Sequence, residues 1–566
     1  MDEITPGPAE EAEAGAANGC AASGDTELPV VGLGGSAGAI QALRDFFAAM
    51  PASPGMAFVV VLHLSPDHES MLAELLQRAT KLRVQQVTGA VTMEADTVYV
   101  VPPRKVLEIH DGSIALAPLP PDRQQHVAVD LLFRTLADSH GTRATAIVLS
   151  GADGDGAIGI KRIKERGGLT IAQDPGEAYA SGMPGSAIAT GMIDWVLPAA
   201  QMAARVMEYH RMAPRLRLAP PHGNEPPAPG GDTAEDEAAL REVLALLRHR
   251  TGRDFGDYKR ATVVRRVGRR MQVNGIGTMS GYLDCLRTRP GESGALLQDL
   301  LISVTNFFRD PVAFAALESH LPQLFQGKTG ADTLRVWVAG CATGEEAYSI
   351  AMLLAEYART LDTAPVLQIF ATDLDDAAIR TARDGFYPAA IESDVSAERL
   401  RRFFVRERGG YRVRRELRES VLFAVHDLPR DSPFSRLDLI SCRNLLIYLN
   451  REAQHRVLDT FHFALLPGKL LFLGSAESVD DGDTRFSVID KLHRLYGHQT
   501  SAHPDLLLPG SLAPAAAALH AQHAAHQGPV VHSGAMVPYF ADTERPPAQA
   551  AGKKTLPWGE VHLRVL

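Results

Sequence analysis

The stretch that decides the fold of the first half of the chain is residues 30–47, VVGLGGSAGAIQALRDFF. An apolar run enters a glycine-rich turn, and apolar residues then recur at helical spacing. Two kinds of site share this outline. From Gly32 the stretch matches Gly-x-Gly-x-x-Ala, in which backbone amides bind a pyrophosphate. From Gly34 it matches Gly-x-Ser-x-Gly, a nucleophile elbow that presents Ser36 at a strand-to-helix turn.

The ends of the next two predicted strands separate these alternatives. A dinucleotide site needs an acidic residue after the second strand to bind the ribose hydroxyls. Here that strand, in MAFVVVLHLSPDHES, ends at His63 and has no carboxylate before Asp67. A third strand, in ATAIVLSGADGDGAIGI, ends in a turn that carries Asp153 and Asp155. Because parallel strands end at one edge of a sheet, the pattern favours a serine nucleophile with a histidine base and an orienting aspartate. The order Ser, His, Asp differs from that of the α/β-hydrolases.

Five segments of the first half together resemble one known family. They are VVGLGGSAGAIQAL, VVVLHLSPDHESMLAELL, TVYVVPPRKVLEI, IVLSGADGDGAIGIKRIKERGG and QDPGEAYASGMPGSAIATGMIDWVLP. This part of the chain resembles the catalytic domain of the chemotaxis protein-glutamate methylesterases, the CheB family. The resemblance implies that Ser36 is the nucleophile, His63 the base and Asp155 the orienting acid, since Asp155 matches the Gly-x-Asp-Gly turn of the family. It also implies hydrolysis of glutamate methyl esters, with deamidation of glutamine as a further activity.

A second glycine-rich turn follows a strand in VWVAGCATGEEAYSIAMLLAEY, residues 336–357. The next predicted strand, LQIFATDLD, does end in an acid, Asp373, which suits a cofactor that contains a ribose. NAD and S-adenosylmethionine both meet that description. The Gly-x-Gly-x-x-Gly spacing of a pyrophosphate site is missing, which favours S-adenosylmethionine.

The surrounding segments resemble the chemotaxis receptor methyltransferases, the CheR family. They are LLISVTNFFRDPVAFAAL, VWVAGCATGEEAYSIAM, FATDLDDAAIRTARDGFYP, VHDLPRDSPFSRLDLISCRNLLIYL and LFLGSAES. The resemblance implies a cofactor site for S-adenosylmethionine lined by Thr305, Arg309, Glu345, Glu346, Asp373, Asp427, Leu428, Arg443 and Asn444. We further expect Arg309 to hold the substrate carboxylate and Tyr448 to border the transferred methyl group.

A basic segment lies between the two halves, in a chain whose net charge is −10. Residues 241–270 contain ten Lys and Arg against three Asp and Glu. Arg265, Arg266, Arg269 and Arg270 recur at helical spacing and predict one positive stripe. We expect Arg266 and Arg270 in this stripe to steer an acidic substrate; a solvated helix face is the alternative.

Composition and local pattern divide the chain into six parts. We predict a disordered N-terminus (1–27), a methylesterase domain (28–212), a Pro/Gly-rich linker (213–234), a helical segment (235–318), a methyltransferase domain (319–498) and a low-complexity tail (499–566). Alternating strands and helices make both enzymatic domains parallel-sheet α/β structures, the second one Rossmann-like. Four scattered cysteines argue against a disulfide framework and for a cytoplasmic location, and we expect no metal site.

The sequence therefore predicts a bifunctional signalling enzyme. One half methylates glutamates of methyl-accepting chemoreceptors or related proteins, and the other hydrolyses the esters. A second hypothesis is a signalling scaffold in which one or both halves serve only for docking. A nucleic-acid methyltransferase rests on the basic segment alone, so we expect no nucleic-acid partner, and no direct membrane insertion.

Overall fold

The computed structural model describes residues 28–63, 71–103, 105–110, 112–118, 127–212, 231–301, 303–480 and 482–499. The predicted N-terminus and nearly all of the predicted linker and tail lie outside these ranges. Among the described residues, no helix combines the length and the apolar character needed to cross a bilayer.

The first α/β domain is built on a parallel seven-stranded sheet of strand order β10-β9-β8-β1-β2-β5-β3. A small antiparallel sheet, β4-β7-β6, accompanies it. The strands are β1 (Val30–Gly35), β2 (Ala57–Leu62), β3 (Arg83–Gln86), β4 (Val91–Thr92), β5 (Thr97–Val100), β6 (Lys105–His110), β7 (Ser113–Pro118), β8 (Ala144–Val148), β9 (Leu169–Gln173) and β10 (Trp195–Leu197). The helices are α1 (Ala39–Ala48), α2 (Leu72–Ala79), α3 (Ala128–His140), α4 (Ala157–Arg166), α5 (Gly182–Ala189) and α6 (Ala199–Met212).

Four helices form the segment that follows, and they share an apolar core of their own that extends from Ala239 to Leu300. They are α7 (Gly231–Thr251), α8 (Arg260–Val273), α9 (Met279–Thr288) and α10 (Pro290–Leu301). From Phe307 onward, the apolar side chains pack into the core of the second α/β domain. The helical core therefore ends between residues 300 and 307, whereas the sequence analysis extended the helical segment to residue 318.

The second α/β domain has a seven-stranded sheet of order β16-β12-β11-β17-β18-β20-β19, in which the first five strands are parallel. A three-stranded antiparallel sheet, β13-β15-β14, accompanies it, and Gly409 lies in the turn between β14 and β15. The strands are β11 (Thr333–Ala339), β12 (Val366–Asp373), β13 (Phe386–Pro388), β14 (Phe404–Glu407), β15 (Gly410–Val413), β16 (Val421–Val425), β17 (Leu437–Cys442), β18 (Leu465–Leu473), β19 (Phe486–Asp490) and β20 (Leu495–His498). The helices are α11 (Pro311–Ser319), α12 (Leu321–Phe325), α13 (Glu345–Ala358), α14 (Asp376–Asp384), α15 (Ala397–Phe403), α16 (Arg415–Glu419) and α17 (Arg451–Ala464).

Three of the four arginines of the predicted stripe on α8 are buried, which contradicts an exposed stripe. Arg266, Arg269 and Arg270 are 2, 3 and 7% exposed, and of the four arginines only Arg265 is exposed. Arg266 donates to the carbonyls of Lys164 and Glu165 at the end of α4, at 3.1 and 2.6 Å. Arg270 makes a two-pronged ion pair with Glu292 of α10, at 2.8 and 2.7 Å.

The prediction that Arg266 and Arg270 steer a substrate is therefore wrong, because both side chains are almost fully buried and their guanidinium groups are bonded inside the protein. Sequence spacing placed both residues on one helix, but it did not show that two other elements pack against that helix. The apolar residues of the same helix face the core of the helical segment: Val263, Val264, Val267 and Met271 are all buried.

Buried ion pairs join the first domain to the helical segment. Lys164 Nζ lies 2.6 Å from Asp194 and 2.8 Å from Asp299, and Arg269 pairs with the same two carboxylates. All four side chains are at most 10% exposed. Charges are tolerated inside a protein when they are paired in this way. The network fixes α8 against the end of α4.

Candidate active sites

Ser36 lies in the turn between β1 and α1, at the carboxyl edge of the first sheet. Its N–H donates to Ser150 O at 2.8 Å, and the N–H of His63 donates to Gly35 O at 3.1 Å. The turn closes through Gly38, whose φ of 82° lies in the left-handed region that favours glycine. These strand-end hydrogen bonds bring the predicted nucleophile and base to one edge of the sheet, as the sequence predicted.

Asp155 is the buried acid of this site. One carboxylate oxygen accepts from His63 Nε2 at 2.8 Å and from Val129 N at 2.9 Å, and the other accepts from Asp130 N at 2.8 Å. The two amides belong to the start of α3, where a helix presents free N–H groups and partial positive charge. Burial and the neighbouring Asp155 charge raise the pKa of Asp130 to about 8. Asp130 is therefore largely protonated at neutral pH, while Asp155 accepts a hydrogen bond from the imidazole of His63.

A second aspartate, Asp153, contacts the same imidazole. His63 Nδ1 lies 3.1 Å from Asp153 Oδ2, so both ring nitrogens face carboxylates. Burial lowers the pKa of His63, but the two carboxylates outweigh that effect and raise it to about 9. Between the two described residues Ser36 and His63 there is no side-chain hydrogen bond. With this pKa, His63 is mostly protonated at neutral pH while both carboxylates contact it, so it must lose that proton before it can accept one from Ser36.

The second site is a pair of adjoining cavities around Asp373, at the carboxyl edge of the second sheet. Both cavities are lined by Asp373, Gly340, Tyr258, Leu301 and Leu445. The predicted residues Asp427 and Leu428 line one, and Thr305, Arg309, Glu346, Arg443, Asn444 and Tyr448 line the other. Glu345 lines neither; its carboxylate accepts from Thr343 at 2.6 Å and lies 3.6 Å from Lys161.

Burial raises the pKa of the two acids in this second site. Asp373 accepts from Ala342 N and Asp375 N at 2.8 and 2.9 Å, but burial outweighs these bonds and its pKa is about 6. The pKa of Asp427 is also about 6, because burial exceeds the attraction of Arg430. Both groups are therefore largely ionised at neutral pH and act as hydrogen-bond acceptors.

A buried glutamate holds the loop that carries Arg443 and Asn444. Glu477 accepts from the backbone N–H groups of Asn444, Leu445 and Leu446 at 2.7 to 2.9 Å. Asn444 has a φ of 59°, in the left-handed region that few residues other than glycine and asparagine adopt, and the bonds to Glu477 hold the loop in this conformation. Glu477 lies in the LFLGSAES segment, but nothing in the sequence assigned it this role.

Helix α4 of the first domain reaches the edge of the second site. Glu165 Oε1 accepts from Arg309 Nη2 at 2.9 Å, and Lys161 is the residue that approaches Glu345. A further cavity of about 190 Å³ lies between the domains and is lined by Lys161, Arg162 and Glu165 on one side and by Val304, Thr305, Asn306 and Arg309 on the other.

Comparisons with known proteins identify these domains. Residues 31–206 match the CheB methylesterase family, residues 238–301 the all-alpha domain of CheR methyltransferase, and residues 303–494 the S-adenosylmethionine-binding domain of CheR methyltransferase. The chemotaxis protein methyltransferase of Escherichia coli is 34% identical over 267 residues, which are 45% of this chain and 89% of that protein. The chain belongs to the CheB and CheR families, fused in one polypeptide.

Two further comparisons concern the first half and the fusion itself. The structure of the CheB methylesterase catalytic domain of Thermotoga maritima is 27% identical and matches 32% of this chain and 98% of that one, with a TM-score of 0.30. An uncharacterized 104.1 kDa protein of Rhodobacter capsulatus is 39% identical over 442 residues, 75% of this chain. This chain covers 46% of the length of that relative.

S-adenosylmethionine is the cofactor of the CheR half, and the residues present fit it. Asp373 offers a buried carboxylate that suits ribose hydroxyls. Arg443 lines the same cavity; its Nη1 lies 3.5 Å from Glu346, and neither Nη1 nor Nε has a hydrogen-bond partner among the described residues. A buried guanidinium with spare donors suits a carboxylate, such as that of the methionine part of the cofactor.

Several site residues escaped the sequence analysis. Tyr258 comes from the helical segment yet lines both cavities of the CheR half. Asp153 was placed in the correct turn but was passed over in favour of Asp155. Glu165 had no signal at all, since it is an ordinary residue near the end of an amphipathic helix. Only the packing of distant segments assigns these three residues to the sites.

Proposed function

We propose that this chain both methylates glutamate side chains and hydrolyses the resulting methyl esters, with chemoreceptors or related signalling proteins as substrates. The observation that carries the proposal is that each half of the fusion brings a complete set of functional groups together. Ser36, His63 and Asp155 follow three strand ends at one edge of the first sheet, where His63 is bonded to Asp155, and Asp373, Arg443, Arg309 and Tyr448 line a pair of adjoining cavities.

In the CheB half, Ser36 attacks the carbonyl carbon of the methyl ester while His63 takes the proton of the hydroxyl. His63 then returns that proton to the departing methanol, and a water molecule hydrolyses the acyl-enzyme by the same route. Asp155, fixed by the amides at the start of α3, stabilises the imidazolium. The backbone at the start of α1 offers N–H donors to the oxyanion. The same site suits hydrolysis of a glutamine side-chain amide.

In the CheR half, the bound cofactor supplies an electrophilic methyl group on a sulfonium. A glutamate is already ionised at neutral pH, so the protein needs to align its carboxylate rather than to remove a proton. Arg309 has the charge and the position to hold that carboxylate, and Tyr448 lines the same cavity. Asp373 and Arg443 hold the two ends of the cofactor.

The test measures both activities on membranes that carry chemoreceptors. Wild-type protein should transfer a radiolabelled methyl group from S-adenosylmethionine to the receptors and release methanol from methylated receptors. Ser36→Ala should abolish methanol release and leave methyl transfer intact, since Ser36 belongs only to the CheB half. If Ser36→Ala releases methanol at the wild-type rate, the assignment of the nucleophile is wrong.

The scaffold hypothesis predicts a different result, namely that neither activity appears although the receptors bind. The complete set of polar groups in both halves argues against it, because unused buried acids such as Asp155 and Asp373 cost stability. Action on receptor segments that face the cell interior would place the enzyme in the cytoplasm.

A further inference from the structure

We propose that Glu165 of the CheB half occupies the acceptor-carboxylate site of the CheR half, so that a substrate glutamate must displace it. This inference rests on the proposed function, in which Arg309 holds the substrate carboxylate. Glu165 carries the same functional group as that substrate. It is bound to the residue assigned to bind that group, within one polypeptide chain.

The contacts of Glu165 support this role. Its Oε1 accepts from Arg309 Nη2 at 2.9 Å, and its Oε2 accepts from Arg162 Nη1 at 2.6 Å. The side chains of Glu165 and Arg309 are 10 and 16% exposed, so solvent screens the pair only weakly. Burial opposes ionisation of Glu165, but Arg309 and Arg162 lower its pKa below the usual value. Glu165 is therefore a carboxylate at neutral pH.

The position of Glu165 also matches the acceptor site. The cavity that Glu165 lines shares Val304, Thr305 and Arg309 with the cavity that contains Asp373 and Tyr448. Arg309 lines both cavities, so the residue that contacts Glu165 also faces the space lined by Tyr448. A substrate carboxylate that binds the guanidinium of Arg309 therefore competes with Glu165 for the same side chain.

The helix that carries Glu165 is held firmly against the CheR half. Arg266 donates to the carbonyls of Lys164 and Glu165, and Arg269 donates to Gly168 O at 2.7 Å. Lys164 joins the buried network with Asp194 and Asp299. The carboxylate is thus presented at a high effective concentration, and a substrate competes with it at a disadvantage.

The experiment replaces Glu165 with a neutral residue of the same shape. We expect Glu165→Gln to bind a fluorescein-labelled peptide of Ala-Glu-Glu-Ala repeats about tenfold more tightly than wild type, without cofactor, because the competing charge is gone. The KM for chemoreceptor membranes should fall by about the same factor, with little change in kcat. Glu165→Asp, which keeps the charge but draws it back by one methylene, should give values between the two.

Controls separate this role from a general change in charge. The pair Arg205–Glu208 has the same i,i+3 spacing and the same 2.6 Å distance as the pair Arg162–Glu165, but it lies at an exposed position. Glu208→Gln should therefore leave peptide affinity unchanged. A peptide with Gln in place of Glu should not distinguish Glu165→Gln from wild type. Thermal unfolding of each variant shows whether it is folded.

Two results would overturn the inference. Equal peptide affinity of folded Glu165→Gln and wild type would show that the carboxylate does not block the site. A methyl ester on Glu165, found by peptide mass spectrometry after the Ser36→Ala chain is incubated with S-adenosylmethionine, would make Glu165 an acceptor rather than a blocker. If peptide binding tightens but no variant methylates receptors, the proposed function fails while the occupancy of Arg309 by Glu165 stands.

Discussion

At the scale of single residues, His63 shows how one added carboxylate changes the chemistry of a triad. A base must be neutral to accept a proton, and His63 with a pKa of about 9 is mostly protonated at pH 7. Asp155 alone would orient the ring. Asp153 adds a second negative charge on Nδ1 and keeps the proton in place.

We therefore predict that Asp153→Asn lowers the apparent pKa of kcat/KM for methanol release by about one unit, since one charged neighbour shifts a pKa by roughly 1–3 units. Methanol release at pH 7 should rise as a result. The pH–rate profile measures the shift, and Asp45→Asn on α1 serves as the control. A profile that Asp153→Asn leaves unchanged would show that Asp153 does not hold the proton during catalysis.

The contact between His63 and Asp153 also predicts how the stability of the CheB half depends on pH. The pKa of His63 is raised by folding, from about 6.5 to about 9, so folding stabilises the protonated form. This contribution is fully present below pH 6.5 and is lost as the pH rises through 9. Urea unfolding of the CheB half should show a decrease in the free energy of unfolding between pH 6.5 and 9, and the decrease should be smaller in Asp153→Asn.

Asp373 lines both cavities of the CheR half, and we propose that its carboxylate binds the ribose of the cofactor. We expect Asp373→Ala to weaken S-adenosylmethionine binding by roughly 1–3 kcal/mol, because hydroxyl groups are left without an acceptor. In wild type, affinity should also fall as the pH drops through about 6, where the carboxylate takes up a proton. Calorimetry measures both effects, and Asp362→Ala, an exposed substitution in the same domain, should change neither.

At the scale of elements, α8 acts as the joint between the two halves. One face carries the valines of the helical core, and the other carries arginines that end in buried ion pairs with both halves. Val273, at the end of α8, packs into the core of the CheB half. Burial of α8 on both sides explains why Arg266, Arg269 and Arg270 offer little free charge to a partner.

We predict that Arg269→Met lowers the free energy of unfolding by about 3–5 kcal/mol, because it leaves Asp194 and Asp299 buried with too little positive charge. Urea denaturation measures the loss. Arg265→Met is the matched control, since the same substitution one turn away removes an exposed arginine, and it should change stability by less than about 0.5 kcal/mol. Equal effects of the two substitutions would contradict the buried network.

At the scale of the whole molecule, the two halves have separate apolar cores but a shared polar interface. The cores of the CheB half are formed almost entirely by residues before 207, and those of the CheR half by residues after 238. The interface instead depends on charged groups such as Lys164, Arg266 and Arg309. Each half therefore has the means to fold alone, whereas their relative orientation depends on paired charges.

We predict that a cut between residues 213 and 230 yields two folded pieces that each melt at a lower temperature than the intact chain. The reason is that Asp299 and Arg269 lose Lys164 and Asp194 as partners when the pieces separate. Calorimetric scans of the pieces, alone and mixed, measure the effect, and mixing should restore part of the loss. If each separate piece melted at the same temperature as the intact chain, the interface would contribute no stability.

The sequence by itself determined the elements and most of the two sites. Ser36, His63 and Asp373 were predicted because a glycine turn after an apolar strand is a local pattern, and the ends of parallel strands gather at one edge. The pattern left Asp153 and Asp155 open, and the family resemblance chose Asp155. The family resemblance supplied the remaining cofactor residues, and Glu345 is the one among them that the structure places outside the cavities. Local patterns and the family resemblance were therefore enough to propose which residues line the two sites.

Only the tertiary structure decided which charges meet across distant segments. Glu165 and Arg309 are 144 positions apart, and Arg266 lies 102 positions from Lys164. The spacing of arginines along α8 is the same whether the helix is solvated or buried, so the sequence predicted an exposed stripe where the structure has an interior joint. Burial of a charge depends on partners that pack against it from elsewhere in the chain, and periodicity within one helix contains no information about those partners.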